Sequence, residues 1–281
     1  MLRLMLNQMR SRKTHAIARG LAPILLGLAL LRASSAQDQL SSAGEKQLVE
    51  LINKERSREG LQPLAVDERL TQAARKHTEL MVKHKALSHQ FDGEPSPQMR
   101  SADENLRSDR LSENVALEMD VAGAHAILMN SPPHRANILS PDYNAVGVGV
   151  IHSGDLVYVT EDFARRLPDY SELEADAVLQ NTITNSASGR GLPAPVRKPQ
   201  LALRDIACNM ALVDALDHNS PRSIVGVHRV VVWTATHLEE LPGDVKGLLS
   251  QPLSSGYSLG ACFAPSVSHP AGVYWIVLVT Y

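Results

Sequence analysis

Residues 125–139 read HAILMNSPPHRANIL and predict a helix followed by a proline turn. Residues 126–129 are acceptable helix formers that would bury one face. Ser131 precedes a proline, which disfavours helical backbone angles, so the helix should end there. The prolines at 132–133 fix the turn and place His134 on a stiff backbone, as a ligand or proton-transfer residue requires. The alternative is that His134 is a half-buried histidine whose ring nitrogens bind nearby carbonyls. For an isolated histidine, this structural role is the more common one.

Four further motifs occur in a fixed order around this stretch. They are LSHQF at residues 87–91, SENVA at 112–116, NAVGVGV at 144–150 and VYVTEDF at 157–163. With the His134 stretch, this order resembles the bacterial branch of the CAP superfamily, which includes the cysteine-rich secretory proteins, antigen 5 and pathogenesis-related 1 proteins. The resemblance covers residues 43–165. It is specific because of the order of the motifs, since any one of them alone would be weak.

The resemblance implies an α+β fold, a three-layer α/β/α sandwich with a mostly antiparallel sheet. It also implies that His89, Glu113 and His134 line one central cavity, with which metal ions such as zinc have been associated. Two imidazoles and a carboxylate suit Zn²⁺ and leave one position for water or substrate. Without a metal they can relay a proton. Animal and plant members usually carry a second glutamate where this chain has Asn130. Asn130 is therefore counted with the three residues of the cavity, but it cannot carry a charge, so weaker metal binding is expected.

The composition is that of an ordinary globular protein. The chain has 281 residues, 44% hydrophobic and 21% charged, enough for one large core or two modest domains. Only 4% of the residues are aromatic, which gives no sign of a stacking platform for nucleic acid.

Residues 1–36 are typical of a secretory signal peptide. Residues 1–20 carry five basic side chains and no acidic one, residues 21–31 are an apolar run of 11, and small residues stand at Ser34 and Ala36. We expect cleavage after Ala36. An uncleaved anchor is the alternative, but the apolar run is short for a transmembrane helix. The mature chain should be exported, to a periplasm or the extracellular space, without a membrane span.

Loss of residues 1–36 makes the chain acidic. It removes six of the 28 Lys and Arg residues and none of the 30 Asp and Glu residues, which leaves a formal charge of −8. An acidic exported protein is a poor partner for nucleic acid or an anionic membrane surface. The resemblance to the CAP superfamily, in which lipid binding and extracellular signalling recur, instead implies a small molecule, a lipid or another protein as the ligand.

Hydrophobic periodicity predicts two long helices early in residues 43–165. The first covers residues 45–58, with Gly60 as its C-terminal cap. The second begins after Asp67, which can cap it. It carries His77 and His84, which we interpret as surface or satisfied core histidines rather than as a metal pair.

Residues 91–111 are polar and indicate a loop or a broken helix. Residues 144–151 and 156–163 alternate or run apolar on either side of a Ser-Gly turn, which predicts a β-hairpin. Asn114 and Asn137 are expected to bind loop backbone groups. Arg135 is expected to pair with an acid such as Glu161 or Asp162, and neither Ser88 nor Ser112 is interpreted as a nucleophile.

Residues 166–177 are a charged connector, and residues 178–281 are predicted to form a second, smaller α+β domain. Its segments follow the order of the first domain. Residues 183–192 align with 52–61, 203–207 with 70–74, and 259–262 with 146–149, and residues 272–279 are similar to 155–160. The alternatives are a degenerate repeat that lacks the site residues and an unrelated α+β domain.

Both cysteines, Cys208 and Cys262, lie in this second domain. Export permits a disulfide between them. Two buried thiols are the alternative, because free cysteine packs as a small hydrophobic residue. Neither cysteine belongs to a motif for metal binding or catalysis.

Three functions are compatible with these patterns. The favoured one is a secreted binding module that holds a small ligand, a lipid or a divalent metal in the His/Glu-lined cavity. The second is a metal- or histidine-dependent hydrolase of peptides or cell-envelope polymer, with Glu113 as base or ligand. The absence of a nucleophile motif or an HExxH helix counts against it. The third is a structural exoprotein in which the polar trio only stabilises the core.

Overall fold

The computed structural model describes residues 41–281, which form two α+β modules. The predicted signal peptide, residues 1–36, lies outside the described residues. Within residues 41–281, no helix combines the length and the apolar character needed to cross a bilayer.

The N-terminal module comprises residues 41–166. Its helices are α1 (residues 41–58), α2 (Glu68–His84), α3 (Pro97–Asp103), α4 (Val121–Asn130) and α5 (Pro132–Ile138), and its strands are β1 (Ala65–Val66), β2 (Ser108–Glu118), β3 (Ala145–Ser153) and β4 (Leu156–Arg166). The strand order across the sheet is β1-β3-β4-β2, and only the short β1 pairs in parallel. Strand β2 is therefore an edge strand.

Local sequence signals explain where the long helices and the hairpin end. Gly60 adopts a left-handed φ of 71° just after α1, as expected of a C-terminal cap. Asp67 caps α2, because its side chain accepts a hydrogen bond from the backbone N–H of Arg69 at 3.0 Å. Gly154, with a φ of 64°, makes the turn between β3 and β4. These predictions are confirmed.

The sheet lies between two layers of helices, which confirms the predicted three-layer sandwich. On one face, α1, α4 and α5 enclose an apolar core that includes Leu48, Leu128 and Phe163. On the other face, α2 lies directly against β3, and a Cβ built on Gly147 would be 2.2 Å from the carbonyl carbon of Leu70. Only glycine lets the helix approach the sheet this closely.

Three segments refine the sequence prediction around the candidate site. The polar stretch before Glu113 contains the short helix α3 and then becomes β2, which pairs with β4 over most of its length. The sequence predicts that His134 follows a proline turn, whereas the structure places it within the helix α5. Prolines at the first two positions of a helix are compatible with a helix start, so α5 begins at Pro132.

The C-terminal module begins inside the predicted connector. Ser171 and Glu174 form a capping box that starts its first helix at residue 172. Its elements are α6 (Glu172–Ser188), α7 (Ala202–Val213), β5 (Arg229–Ala235), α8 (Gly243–Leu248), β6 (Tyr257–Ala264) and β7 (Val273–Thr280). The sheet order is β5-β7-β6, with α6 and α8 packed on one face and α7 on the other. Cys208 of α7 and Cys262 of β6 are joined by a disulfide, one of the two alternatives considered above.

The two modules share three internal features. Strands β6, β7 and β5 are neighbours in the same order as β3, β4 and β2. Arg197 bridges in parallel to Tyr257, as β1 pairs in parallel with β3. Gly260 lies against α7 as Gly147 lies against α2, because a Cβ on Gly260 would be 2.3 Å from the carbonyl carbon of Leu203.

Candidate functional site

The three predicted site residues lie around the edge strand β2. His89 is in the loop after α2, Glu113 is in β2, and His134 is in the first turn of α5. His89 Nδ1 donates to Glu113 Oε1 at 2.8 Å. Burial, and then the positive charge of His89, lower the pKa of His134, so the two imidazoles are within electrostatic range. Among residues 41–281, no hydrogen bond joins the His134 ring to His89 or Glu113.

The side chain of His89 is exposed to solvent, whereas the carboxylate that it contacts is buried. Its side chain is 56% exposed, whereas that of Glu113 is only 2% exposed. The hydrogen bond that His89 donates to Glu113, together with the negative charge of Glu113, outweighs desolvation and raises the pKa of His89. His89 therefore stays protonated to a higher pH than a free histidine, and its outer nitrogen is available as a donor. Because His89 is more than half exposed, the site opens to solvent.

Arg100 is the centre of the buried layer beneath His89. Its side chain is 6% exposed and forms ion pairs with Glu113 and, at 3.1 Å, with Glu94. The guanidinium also donates to the carbonyl oxygens of His89 and Pro95, at 3.2 Å each. Arg100 thus neutralises the carboxylates and holds the backbone of His89 in place.

His77 closes this layer from the side of α2. Its side chain is fully buried, with Nδ1 2.7 Å from Glu94 Oε1 and Nε2 2.7 Å from the carbonyl oxygen of Ser88. The sequence predicts that His77 is either a surface histidine or a core histidine with hydrogen-bond partners, and the structure shows the second. Both ring nitrogens have protein partners, so His77 supports the site without being free for a ligand.

Asp162 lies directly opposite Glu113 in the β2–β4 register, on the same face of the sheet. It is fully buried, and within the described part of the chain neither of its oxygens has a hydrogen-bond donor. Burial, and then the negative charge of Glu113, raise the pKa of Asp162 well above its usual value. The raised pKa favours the neutral, protonated form of Asp162, which needs no buried counter-charge of its own.

A second polar group lies on the opposite face of the sheet, because neighbouring residues in a strand alternate. Asn114 Nδ2 donates to Glu161 Oε2 at 2.9 Å and to the carbonyl oxygen of His134 at 3.2 Å. Its Oδ1 accepts from Asn137 Nδ2 at 2.8 Å. Asn114 therefore holds a backbone group as predicted, whereas Asn137 binds a side chain. Strand β2 positions His89 through Glu113 and His134 through Asn114.

The prediction for Arg135 is wrong. Its guanidinium pairs with Glu59 at 2.8 Å on the surface, not with Glu161 or Asp162. Arg135 lies on the exposed side of α5, whereas both of those carboxyl groups are buried beneath the helices. Asn130 is exposed at the end of α4.

The donors as arranged do not fit the predicted zinc ion. Both oxygens of Glu113 are already engaged, one by His89 and the other by the guanidinium of Arg100. Within residues 41–281, no group of three or more His, Cys, Asp or Glu side chains has an arrangement suited to a metal. Zn²⁺ would need an oxygen of Glu113 that now binds a permanent cation.

Arg100 and Asp162 belong to this site, although the sequence pattern singles out neither as a site residue. Arg100 stands in a polar stretch. Its acidic partners are Glu94, six residues before it, and Glu113, 13 residues after it, and neither lies at the i±3 or i±4 spacing of a helical ion pair, so Arg100 is indistinguishable from a surface cation. Asp162 has a usable signal. Two consecutive carboxylates, Glu161 and Asp162, interrupt a strand that is otherwise apolar, and burial of an unpaired carboxylate is costly.

The C-terminal module carries valines where the N-terminal module carries these acids. Gly147 pairs with Asp162, and Gly260 pairs with Val277. Glu113 pairs with Asp162, and Val232 pairs with Val277. Once the two glycines are aligned, Val232 and Val277 therefore stand at the positions of Glu113 and Asp162, among the apolar side chains under α7.

Comparisons with known proteins agree with this picture of the N-terminal module. Residues 49–163 match the model of the CAP family, described as the cysteine-rich secretory protein family. The uncharacterized protein YkwD of Bacillus subtilis is 36% identical over 121 residues, which cover 41% of this chain and 45% of YkwD. The uncharacterized membrane protein YlbC of the same organism is 30% identical over 129 residues, which cover 46% of this chain and 36% of YlbC. The match spans less than half the length of either relative.

Solved structures include similar domains. An extracellular protein containing an SCP domain, from Bacillus anthracis, aligns with a TM-score of 0.43 at 26% identity. The alignment covers 46% of this chain and 42% of that chain.

Proposed function

Because this chain belongs to the CAP superfamily through residues 49–163, we propose that its N-terminal module is an exported binding domain. The ligand is a small molecule or a lipid whose polar groups meet the imidazoles of His89 and His134. His89 presents a donor, and His134, whose pKa is lowered, presents a neutral ring that can also accept. A donor and an acceptor within electrostatic range of each other suit a ligand with hydroxyl, carboxyl or phosphate groups.

One observation carries the proposal, namely the buried ionic network under an exposed histidine. Replacing buried ion pairs by well-packed apolar residues is often neutral or stabilising, by about 1–4 kcal/mol. The C-terminal module has such residues, Val232 and Val277, at the matching register positions. A structural role alone therefore does not require Glu113, Asp162 and Arg100, and we infer that they serve to position His89.

The hydrolase alternative has less support. The hydroxyl of Ser88 donates to the carbonyl oxygen of Gln90, and the buried hydroxyl of Ser112 has no partner in the described part of the chain. Within residues 41–281 neither serine hydroxyl is hydrogen-bonded to a histidine, as the hydroxyl of an activated nucleophile would be. A hydrolase would need an activated nucleophile that the described residues do not supply, whereas ligand binding needs only the two imidazoles.

A binding assay on residues 37–281 with two histidine variants tests the proposal. The probes are vesicles of phosphatidylglycerol and phosphatidylethanolamine, and soluble cell-wall fragments, with bound material measured by native mass spectrometry. We expect His89→Ala and His134→Ala to weaken binding of one probe class at least about 10-fold, the loss of one or two polar contacts. His218→Ala, an exposed histidine of the C-terminal module, is the matched control.

Equal binding by all four proteins would contradict the proposal. Cleavage of a probe that disappears in His134→Ala would instead support the hydrolase.

Replacement of Glu113 by glutamine should lower the pKa of His89. The variant removes the negative charge and the strong hydrogen bond that hold the imidazolium. An NMR titration of the histidine ring protons measures the change, and His218 serves as the internal reference. A pKa of His89 that stays raised in Glu113→Gln would show that another group sets its protonation.

We propose that residues 178–281 are a degenerate copy of the N-terminal module, without its site. The shared strand order, the parallel bridge and the paired glycines Gly147 and Gly260 support this interpretation. The valines Val232 and Val277 leave this copy with a packing or docking role.

A further inference from the structure

We propose that Arg100 is the resident cation of the site and that the site binds its ligand without a metal ion. The inference deepens the proposed function and rests on it, because it takes His89 and Glu113 as the binding groups. It assigns Arg100 as the positioning residue that sets the class of ligand, which is an organic group held by hydrogen bonds.

Three carboxyl groups converge on Arg100 from three parts of the chain. Glu94 and Glu113 pair directly with the guanidinium. Asp162 stands beside Glu113 on the next strand. Carboxylate oxygens with a neighbouring imidazole, here that of His89, are the donors that bind divalent cations elsewhere. In this chain the guanidinium already supplies the positive charge that these acids require.

The guanidinium excludes a second cation for two reasons. Arginine does not lose its proton in proteins, so its charge is permanent. It is also held in place, because Glu94, Glu113 and the carbonyl oxygens of His89 and Pro95 all contact it and the side chain is 6% exposed. A divalent ion on Glu113 would meet this charge at short range in a medium of low dielectric constant.

The same contacts give Arg100 a positioning role. Its bond to the carbonyl oxygen of His89 fixes the backbone, and its ion pair orients Glu113, which in turn binds the His89 ring. The exposed imidazole therefore meets the ligand in one orientation.

Calorimetric titration with zinc chloride tests this assignment on residues 37–281, which include every element of both modules. We expect the wild type to bind no zinc at micromolar concentrations. Arg100→Met keeps much of the side-chain volume and removes the charge, and we expect it to bind about one zinc ion at least about 100-fold more tightly than the wild type. The matched control is Arg197→Met, because Arg197 pairs with a single carboxylate, Asp176, in the C-terminal module.

Each outcome decides the question. Tight zinc binding by the wild type that is lost in His89→Ala would overturn the inference, as would an Arg100→Met protein that folds and takes up no zinc. If Arg100→Met is unfolded in metal-free buffer, added zinc should restore its circular dichroism, and failure to do so also counts against the inference. Zinc titration and probe binding test different proposals. If the histidine variants bind every probe normally, the proposed function fails, but zinc uptake by Arg100→Met still supports Arg100 as the cation of the site.

Discussion

Replacement of Gly147 by alanine is expected to unfold the N-terminal module, and Gly260→Ala is expected to do the same to the C-terminal module. In each case the new Cβ would lie 2.2–2.3 Å from the carbonyl carbon of a helix residue, Leu70 or Leu203. Backbone cannot move aside as a flexible side chain can, so a whole helix must shift. We expect a loss of roughly 4 kcal/mol or more, at the upper extreme for single substitutions.

The pair of variants also tests whether the modules are copies of one plan. The sequence alignment of residues 70–74 with 203–207 and of 146–149 with 259–262 predicts that these two glycines are equivalent. The structure places each against the same two positions of its helix, Leu70 and Thr71 or Leu203 and Arg204. Equal penalties, each confined to its own module, would support the proposed repeat.

Two measurements separate the modules. Both tryptophans of the chain, Trp233 and Trp275, lie in the C-terminal module, so tryptophan fluorescence reports its unfolding. Hydrogen exchange followed by mass spectrometry reports the peptides of each module separately. Gly247→Ala is the control, because it lies within α8 with no atom within 4 Å of the added Cβ, and a small gain in stability is expected there. If Gly147→Ala exchanged as slowly as this control, the close approach of α2 would be refuted.

The parts of the fold that follow from local pattern were predictable. The helix cap at Asp67 and the turn at Gly154 depend on residues within one or two positions of each other. Strand β2 was harder to recognise, because six of the seven residues from Ser108 to Asn114 are charged or carry an amide or hydroxyl, and site residues replace the apolar alternation. Its pairing with β4 joins segments that lie far apart in the chain.

The candidate site was predictable only as far as its motifs extend. The spacing of His89, Glu113 and His134 resembles the superfamily, and the structure brings the first two into hydrogen-bond contact. Arg100 could not be identified in this way, because its ion pairs with Glu94 and Glu113 form only when the loop before β2 folds against the sheet, which no local pattern encodes.

Replacement of Glu161 by glutamine should make the chain's stability less dependent on pH. Burial raises the pKa of Glu161 from 4.5 to about 7. Below pH 4.5 the carboxyl group is protonated in both the folded and the unfolded chain and contributes no pH dependence. Between pH 4.5 and 7 it ionises only in the unfolded chain, so the folded wild type loses stability as the pH rises. Above pH 7 the difference stays constant.

The expected size follows from the pKa difference. A shift of this size corresponds to about 3 kcal/mol of unfolding free energy, lost by the wild type between pH 4 and pH 8. Glutamine keeps an oxygen for Asn114 but cannot ionise, so Glu161→Gln avoids that loss. Any constant cost of placing the amide in the core cancels when the two pH values are compared, and so does the titration of Asp162, which both proteins share.

Urea unfolding of the N-terminal module at pH 4 and pH 8, followed by exchange of its peptides, measures this difference. The exposed Glu50→Gln is the control and should follow the wild type at both pH values. If Glu161→Gln and the wild type lost the same stability between the two pH values, the pKa of Glu161 in the folded chain would equal its ordinary value of 4.5, and the buried group would be ionised at pH 8. A cation would then have to neutralise it inside the module. The apolar neighbours Val148 and Phe163 supply no such charge, so that result would require the polar layer beneath α5 to rearrange.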